Sequence, residues 1–406
     1  MFTNLGIVGH LRYLPLGLLT SPNQGANYVN TSRRRTGAVV GILALSLIGA
    51  ACSSSSSTKD TTAATTADTA VAEETTTTVA GLDYSKLSGS LVASGATFPK
   101  SFYDEAIANL ATTAPDLTIE YGGGGSGKGR SDLQEKVVDF AGTDGVVKAE
   151  DIAKFTGGEF VYVPTVIAPI TLSYNLPGVD TLQLSPATIA GIYQLTITNW
   201  NDAAIAADNP GVTLPDQAIV AARRADGSGT TENFTKFLKA AVGPDAGGTW
   251  ALGSGSTVEW PAGTQAGDGN SGVAQLVKST TGAIGYVDLS DAKANGLTVA
   301  LVKNKAGKFV APTLEAASAA AEGATINDDL TYFLGWADGD AAYPIAAQTW
   351  IIAYTTQADP AKAEAIRGFL TYLLNEGQAL APTIDFAPLP ESLRLKAIEN
   401  IAKIGA

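Results

Sequence analysis

Histidine and cysteine are almost missing from this sequence: His10 and Cys52 are the only ones in 406 residues. One cysteine leaves no intrachain disulfide, and the pair cannot build a Cys/His zinc site. If His10 is lost in processing, no histidine-dependent triad remains. Charge is sparse, at 16% of residues, and skewed: 26 Lys and Arg stand against 39 Asp and Glu. The resulting net charge of −13 opposes nucleic-acid binding. Aromatics make up only 7%, while 45% of residues are hydrophobic and 44 are Gly. That balance suits a well-packed α/β protein and excludes collagen and coiled coils. The length exceeds what one hydrophobic core usually supports, so two lobes or domains are expected.

Long apolar runs are scarce as well. The run over 38–51 follows Arg33, Arg34 and Arg35 and ends at Cys52. At about 14 residues it is too short to span a bilayer stably. A basic segment, a short apolar stretch and the small residues Gly49-Ala50-Ala51 read as an export signal. Cys52 stands where a bacterial lipobox places its lipidated cysteine, although Gly49 replaces the usual Leu. The plainer alternative is an ordinary signal with an incidental cysteine. Ser32-Arg33-Arg34 also hints at twin-arginine export. Residues 1–28 fit no signal pattern, which places the expected translational start near Val29 and the processed segment at 1–51. Residues 53–80 are dominated by Ser, Thr and Ala and cannot offset the entropy of ordering. Together 52–84 read as an anchor and a flexible tether reaching about 30 Å root-mean-square. Cleavage before Cys52 would leave 22 basic residues against 39 acidic, a net charge of −17.

The folded body, from about 85 to 406, alternates strand and helix patterns. Strands are expected over 91–93, 118–121, 138–142, 218–224, 283–289, 297–302 and 349–354. Helices are expected over 101–112, 131–137, 186–193, 231–241, 272–278, 360–376 and 391–404. The apolar run 160–176 contains Pro164 and Pro169 and reads as several strands. Such alternation predicts α/β with largely parallel sheets. There is no internal repeat.

Three Gly-rich turns lie where a strand gives way to a helix. They are Ser94-Gly95-Ala96-Thr97-Phe98-Pro99, Tyr121-Gly122-Gly123-Gly124-Gly125-Ser126-Gly127-Lys128-Gly129-Arg130, and Arg223-Arg224-Ala225-Asp226-Gly227-Ser228-Gly229-Thr230-Thr231. Helix N-termini offer unpaired N–H groups and a positive dipole end, so such turns suit phosphate-like anions. One alone is weak evidence, because loops use Gly and Ser for turn geometry. Three with hydroxyl residues are stronger. Gly122 to Lys128 also has the spacing of a P-loop, but Gly129 stands where that motif needs Ser or Thr, and an exported protein lacks ATP. Arg223 and Arg224 leave a strand on opposite faces. Arg224 and Asp226 share a face, so Asp226 is placed to brace the guanidinium while its fork binds an oxyanion. An ordinary surface Arg–Asp pair is the alternative.

These residues, in this order, resemble the phosphate-binding proteins of bacterial ABC phosphate importers. The resemblance rests on Gly95-Ala96-Thr97-Phe98-Pro99, Gly125-Ser126-Gly127, Val138-Asp139-Phe140-Ala141-Gly142-Thr143-Asp144 and the stretch from Arg223 to Thr230. Gly269-Asn270-Ser271-Gly272, Gly282-Ala283-Ile284-Gly285-Tyr286-Val287 and Ala387-Pro388-Leu389-Pro390 extend it, so that it covers essentially 88–395. It implies a type II periplasmic-binding-protein fold: two α/β lobes joined by two crossovers, with ligand in the cleft. The lobes would comprise 85–172 with 312–406, and 173–311, with crossovers near 170–174 and 310–313. It also implies that Thr97, Ser126, Ser228 and Thr230 donate hydroxyls to phosphate, and Phe98, Gly229 and Thr230 backbone N–H groups. Arg224 would bind bidentately, braced by Asp226, and Asp144 would accept the ligand's own proton. Many relatives have small residues where this chain has Lys128 and Arg130. These would either add attraction at the cleft rim or merely flank a helix.

The expected protein is therefore a monomeric, non-enzymatic receptor, held by a lipid on Cys52 at the outer face of the cytoplasmic membrane. It would deliver inorganic phosphate to the permease and ATPase subunits of an ABC importer, without cofactor, metal or nucleic acid. One alternative is a receptor for sulfate, molybdate or tungstate. Others are a phosphate sensor or adhesin without a transporter, and an exported phosphatase. The phosphatase would lack histidine and a G-x-S-x-G elbow, though a carboxylate-only metal site stays open.

Overall fold

The computed structural model describes residues 82–405. The export segment, Cys52 and nearly all of the tether lie outside the described residues. Among the described residues no helix is long and apolar enough to cross a membrane.

The chain first lays down β1 (Gly89–Gly95), α1 (Lys100–Thr113), β2 (Leu117–Gly124), α2 (Gly125–Gln134) and β3 (Phe140–Thr143). A long strand, β4 (Phe160–Tyr174), leads to β5 (Gln183–Leu184), α3 (Pro186–Tyr193) and α4 (Ala203–Asp208). Then come β6 (Val220–Arg224), α5 (Gly229–Val242), β7 (Gln265–Gly267), α6 (Gly269–Ser279), β8 (Ala283–Asp288) and α7 (Leu289–Ala294). Short strands β9 (Thr298–Val299), β10 (Leu301–Lys303) and β11 (Phe309–Val310) precede α8 (Leu314–Ala321). The chain returns through β12 (Ala346–Tyr354) and ends in α9 (Pro360–Leu374), α10 (Glu376–Leu380) and α11 (Glu391–Ile401).

The main sheet runs β2-β1-β3-β12-β4-β8-β6-β7. Its outer strands form two parallel groups, β2-β1-β3 and β8-β6-β7, whereas β12 and β4 at its centre run antiparallel to their neighbours. The expectation of largely parallel sheets therefore holds for the flanks and fails at the centre. Returning β12 must run against both β3 and β4 to close the sheet.

β4 also corrects the sequence reading. Residues 160–174 form one strand, buried from Val161 onward, not several. A strand buried on both faces reads as a continuous apolar run, and its prolines suggested breaks. The strand changes neighbours instead. Up to Pro169 it pairs with β12, and from Ile170 it pairs with β8. Opposite Pro164, the register of β12 slips between Gln348 and Trp350, where proline has no N–H to give the ladder.

Two more differences are local. The helix expected over 131–137 is α2 and begins at Gly125, because glycines that weaken the helical signal form its first turn. The strand expected over 297–302 divides into β9, paired with β4, and β10, paired with β5 and β11.

Candidate functional site

Five turns that leave the carboxyl ends of parallel strands meet at one place. This is where open α/β sheets commonly hold ligands. After β1, Ala96 N–H donates to Gly142 O at 2.9 Å and fixes the turn against the end of β3. Thr97 follows, and its Oγ1 accepts the backbone N–H of Asn270 at 3.2 Å. Phe98 is buried, its ring edge-on to Phe386.

After β2, Gly124 and Gly125 take positive φ values of +107° and +89°. A Cβ on Gly125 would sit 2.0 Å from Asp226 Oδ2, so only glycine permits this approach. Gly127 N–H donates to Gly227 O at 2.7 Å, which joins the second turn to the turn after β6. Ser126 is fully buried; its Oγ accepts Asp144 N–H at 3.1 Å and lies 3.3 Å from Asp144 Oδ2.

After β6, the Arg224 side chain is 1% exposed. Its Nε donates to Asp226 Oδ1 at 2.8 Å and its Nη2 to Asp226 Oδ2. Nη1 reaches Thr230 Oγ1 and Asn270 Oδ1, each at 3.3 Å. Tyr286 hydroxyl accepts the Arg224 N–H at 3.1 Å and so fixes its backbone. Arg223 points elsewhere, donating to Thr264 Oγ1 and to Arg224 O. Ser228 caps α5 by accepting Thr231 N–H at 3.1 Å. Helix geometry leaves the N–H groups of Gly229 and Thr230 without intrahelical acceptors.

The hydroxyls are oriented by what they already accept. Thr97, Ser228 and Thr230 each take an N–H from the protein, so each keeps its own O–H to donate. Arg224 occupies both oxygens of Asp226. Asp144 is the carboxylate left over. It is 1% exposed, and its Oδ1 accepts Thr349 Oγ1 at 2.7 Å. Burial pushes its carboxyl up to about 7, against the Thr349 hydroxyl, the Arg224 charge, Ser126 and Arg130. A donor-rich centre thus contains one acceptor that is readily protonated. That combination fits an oxyanion carrying a proton of its own.

The structure brings together Thr97, Phe98, Ser126, Asp144, Arg224, Asp226, Ser228, Gly229 and Thr230, all singled out in the sequence. Lys128 is exposed and pairs with Asp132 on its own helix. Arg130 is mostly buried and reaches Thr143 and Gly145. Sequence reasoning missed three participants. Asn270 links Arg224, Thr230 and Thr97, and its motif carried no sign of that role. Thr349 and Gln348 both reach the Asp144 turn, Gln348 through a 3.4 Å bond to Asp144 O and a 3.0 Å bond to Asn233. Successive strand residues normally point to opposite faces, so the register slip brings both to one place. The only sequence signal was a proline within the facing strand. Among the described residues no three His, Cys, Asp or Glu side chains gather to hold a metal ion.

Residues 53–376 match the family model of the PBP superfamily domain. A protein named phosphate-binding protein PstS from Methanocaldococcus jannaschii is 37% identical over 340 residues, which cover 77% of this chain and 83% of that one. One of the same name from Pasteurella multocida is 34% identical over 310 residues, covering 75% of this chain and 87% of its own. Among solved structures, a phosphate-binding protein from Stenotrophomonas maltophilia superposes with a TM-score of 0.60 at 23% identity, over 77% of this chain and 93% of that one. At that identity the likeness speaks to the fold, which is the two-lobed α/β architecture of periplasmic binding proteins.

Proposed function

This chain belongs to the phosphate-binding proteins of the PBP superfamily, and from that premise we propose that it captures orthophosphate in the cleft formed by these turns and releases it to an ABC importer. The chain is a substrate-binding protein and not an enzyme. The observation that carries the site assignment is the convergence of Thr97, Ser228 and Thr230 hydroxyls, two amides of α5 and the Arg224 fork around Asp144, a carboxyl bonded to hydroxyls and not paired with a cation. In this reading Ser126 and the Phe98 N–H complete the cradle and Asp226 braces Arg224. The lobes are 85–172 with 312–406, and 173–311. They close on the ligand because the change of neighbour at Pro169 makes β4 a crossover.

Calorimetric titration of the mature chain with phosphate, then sulfate, at neutral pH tests the assignment. Tight phosphate binding with sulfate far weaker supports it; equal binding favours a general oxyanion receptor. Phosphate affinity is expected to change by less than about tenfold between low and physiological salt, because donors in a closed, dehydrated cleft are screened little. A fall of several decades would mean an open, surface-electrostatic site.

The finer reading places the mature protein at the outer face of the cytoplasmic membrane, tethered through lipid on Cys52, as a monomer serving permease and ATPase subunits. Cys52→Ala is expected to release it from membranes and leave phosphate affinity unchanged, since the tether separates anchor from site. Membrane fractionation after a high-salt wash checks this, and a mutant that stays bound refutes the lipid reading.

A further inference from the structure

Arg130 lies on α2, one turn beyond Ser126, and it makes contacts of an unusual kind for a cation beside an anion site. Its Nη1 donates to Thr143 Oγ1 at 3.0 Å and to Gly145 O at 3.3 Å, the residues on either side of Asp144. The same nitrogen lies 3.8 Å from Glu232 Oε2 on α5, three residues beyond Gly229. Both side chains are largely withdrawn from water, 14% exposed for Arg130 and 8% for Glu232. The other Glu232 oxygen takes Lys236 Nζ at 2.7 Å. The Glu232 carboxylate rests against Gly145, where an added Cβ would lie 2.0 Å from it. α2 follows β2 at one edge of the sheet and α5 follows β6 near the other, so the contact spans the two halves of the anion site.

We propose that Arg130 is a positioning residue which pins the Asp144 turn and, with Glu232, forms a charged clasp that completes itself when the two halves of the site close. The inference rests on the proposed reading that the cleft closes over phosphate. Opening would return both charged groups to water, so the pair adds little to the stability of the open form. Closing aligns an ion pair already held at one end by the Thr143 and Gly145 bonds. The clasp therefore resists reopening and lengthens the residence of the ligand. Glu232 also offsets the Arg130 charge, so Arg130 contributes little long-range attraction.

The test is a double-mutant cycle on the full mature chain, with Arg130→Gln, Glu232→Gln and the pair. Phosphate affinity is read by calorimetry and dissociation by stopped-flow. Residues acting through one shared contact are non-additive. Glu232→Gln is expected to weaken phosphate binding about tenfold, Arg130→Gln by at least as much, and the pair no more than Arg130→Gln alone, almost all of it in faster dissociation. The melting temperature without phosphate is expected to stay put, which a merely structural role would not allow. Gly145→Ala, which displaces the Glu232 carboxylate, is expected to match Glu232→Gln. If Arg130→Gln does not fold, Arg130→Met replaces it in the cycle, since it keeps the length of the side chain and loses the charge. Losses that multiply to about a hundredfold, or singles that change nothing, overturn the clasp while leaving the phosphate reading intact. A wild-type chain that fails to bind phosphate overturns that reading and the clasp with it.

Discussion

At pH 9, where the Asp144 carboxyl is ionised, Asp144→Asn is expected to narrow the preference for phosphate over sulfate by about 10², chiefly by admitting sulfate. An ionised carboxylate beside a bound anion is repulsive unless a proton lies between them. Phosphate retains at least one proton near neutrality, and sulfate has none to offer. Opposing two acceptors in a buried site costs several kcal/mol, and sites that read one specific hydrogen bond discriminate by roughly 10⁴–10⁵. Asparagine replaces that acceptor-only group with one that also donates. The surroundings suit the exchange, since Thr349 Oγ1 can donate to the amide oxygen as it does to Asp144 Oδ1. Calorimetry on the folded mutant decides. An unchanged ratio would remove Asp144 from the site.

The same carboxyl supplies a pH signature. Its folded value is raised by burial from 3.8 to about 7. A raised acid in the folded state adds stability that is fully present below pH 4 and lost as pH rises through about 7. Three units correspond to about 4 kcal/mol as an order of magnitude. The unliganded Asp144→Asn protein should lack this loss and gain on the wild type between pH 4 and 8. Sulfate binding by the wild type should be level below about pH 7 and fall about tenfold per unit above it, because one proton must be taken up. The mutant should be level throughout. Parallel pH profiles for the two proteins would contradict the assignment.

Arg224→Ala is expected to weaken phosphate binding by about 10³. The guanidinium is buried and holds Asp226 through two bonds. Removing it deletes a charge-assisted fork and also leaves the Asp226 carboxylate, 15% exposed, unpaired beside an anion. Part of the loss is therefore repulsion and not missing attraction. Arg224→Lys should lose less, about 10², since it keeps the charge but cannot present a planar fork. Adding Asp226→Ala to Arg224→Ala should recover part of the affinity by removing the orphaned carboxylate. Calorimetry across the three variants, with circular dichroism to verify folding, gives the comparison. An affinity within threefold of wild type for Arg224→Ala would place the anion elsewhere.

The sequence by itself determined the parts of this protein that are written in neighbouring residues. Ser228 caps its helix three residues on, and Asp226 braces Arg224 two residues away. The glycines around Ser126 mark a tight turn after a strand, although the helix begins at Gly125 and not at Ser131. Each of these is a local arrangement, fixed by strand alternation, capping or φ, so consecutive residues carry its signature. The alternation of strands and helices was legible for the same reason. Tertiary structure alone decided the remainder. Thr349 is 205 residues from Asp144, and Gln348 is 115 from Asn233. No periodicity links such partners, and they meet because β12 is inserted antiparallel between β3 and β4 and slips in register opposite Pro164. The continuity of β4 through Pro169 depends likewise on an exchange of neighbours that its own residues do not encode. For Arg130 the sequence left open a place at the cleft rim or on a helix surface, and packing set Glu232 beside it. Local chemistry named the groups that can hold an anion, and the packing of distant strands set the proton, brace and closure around them.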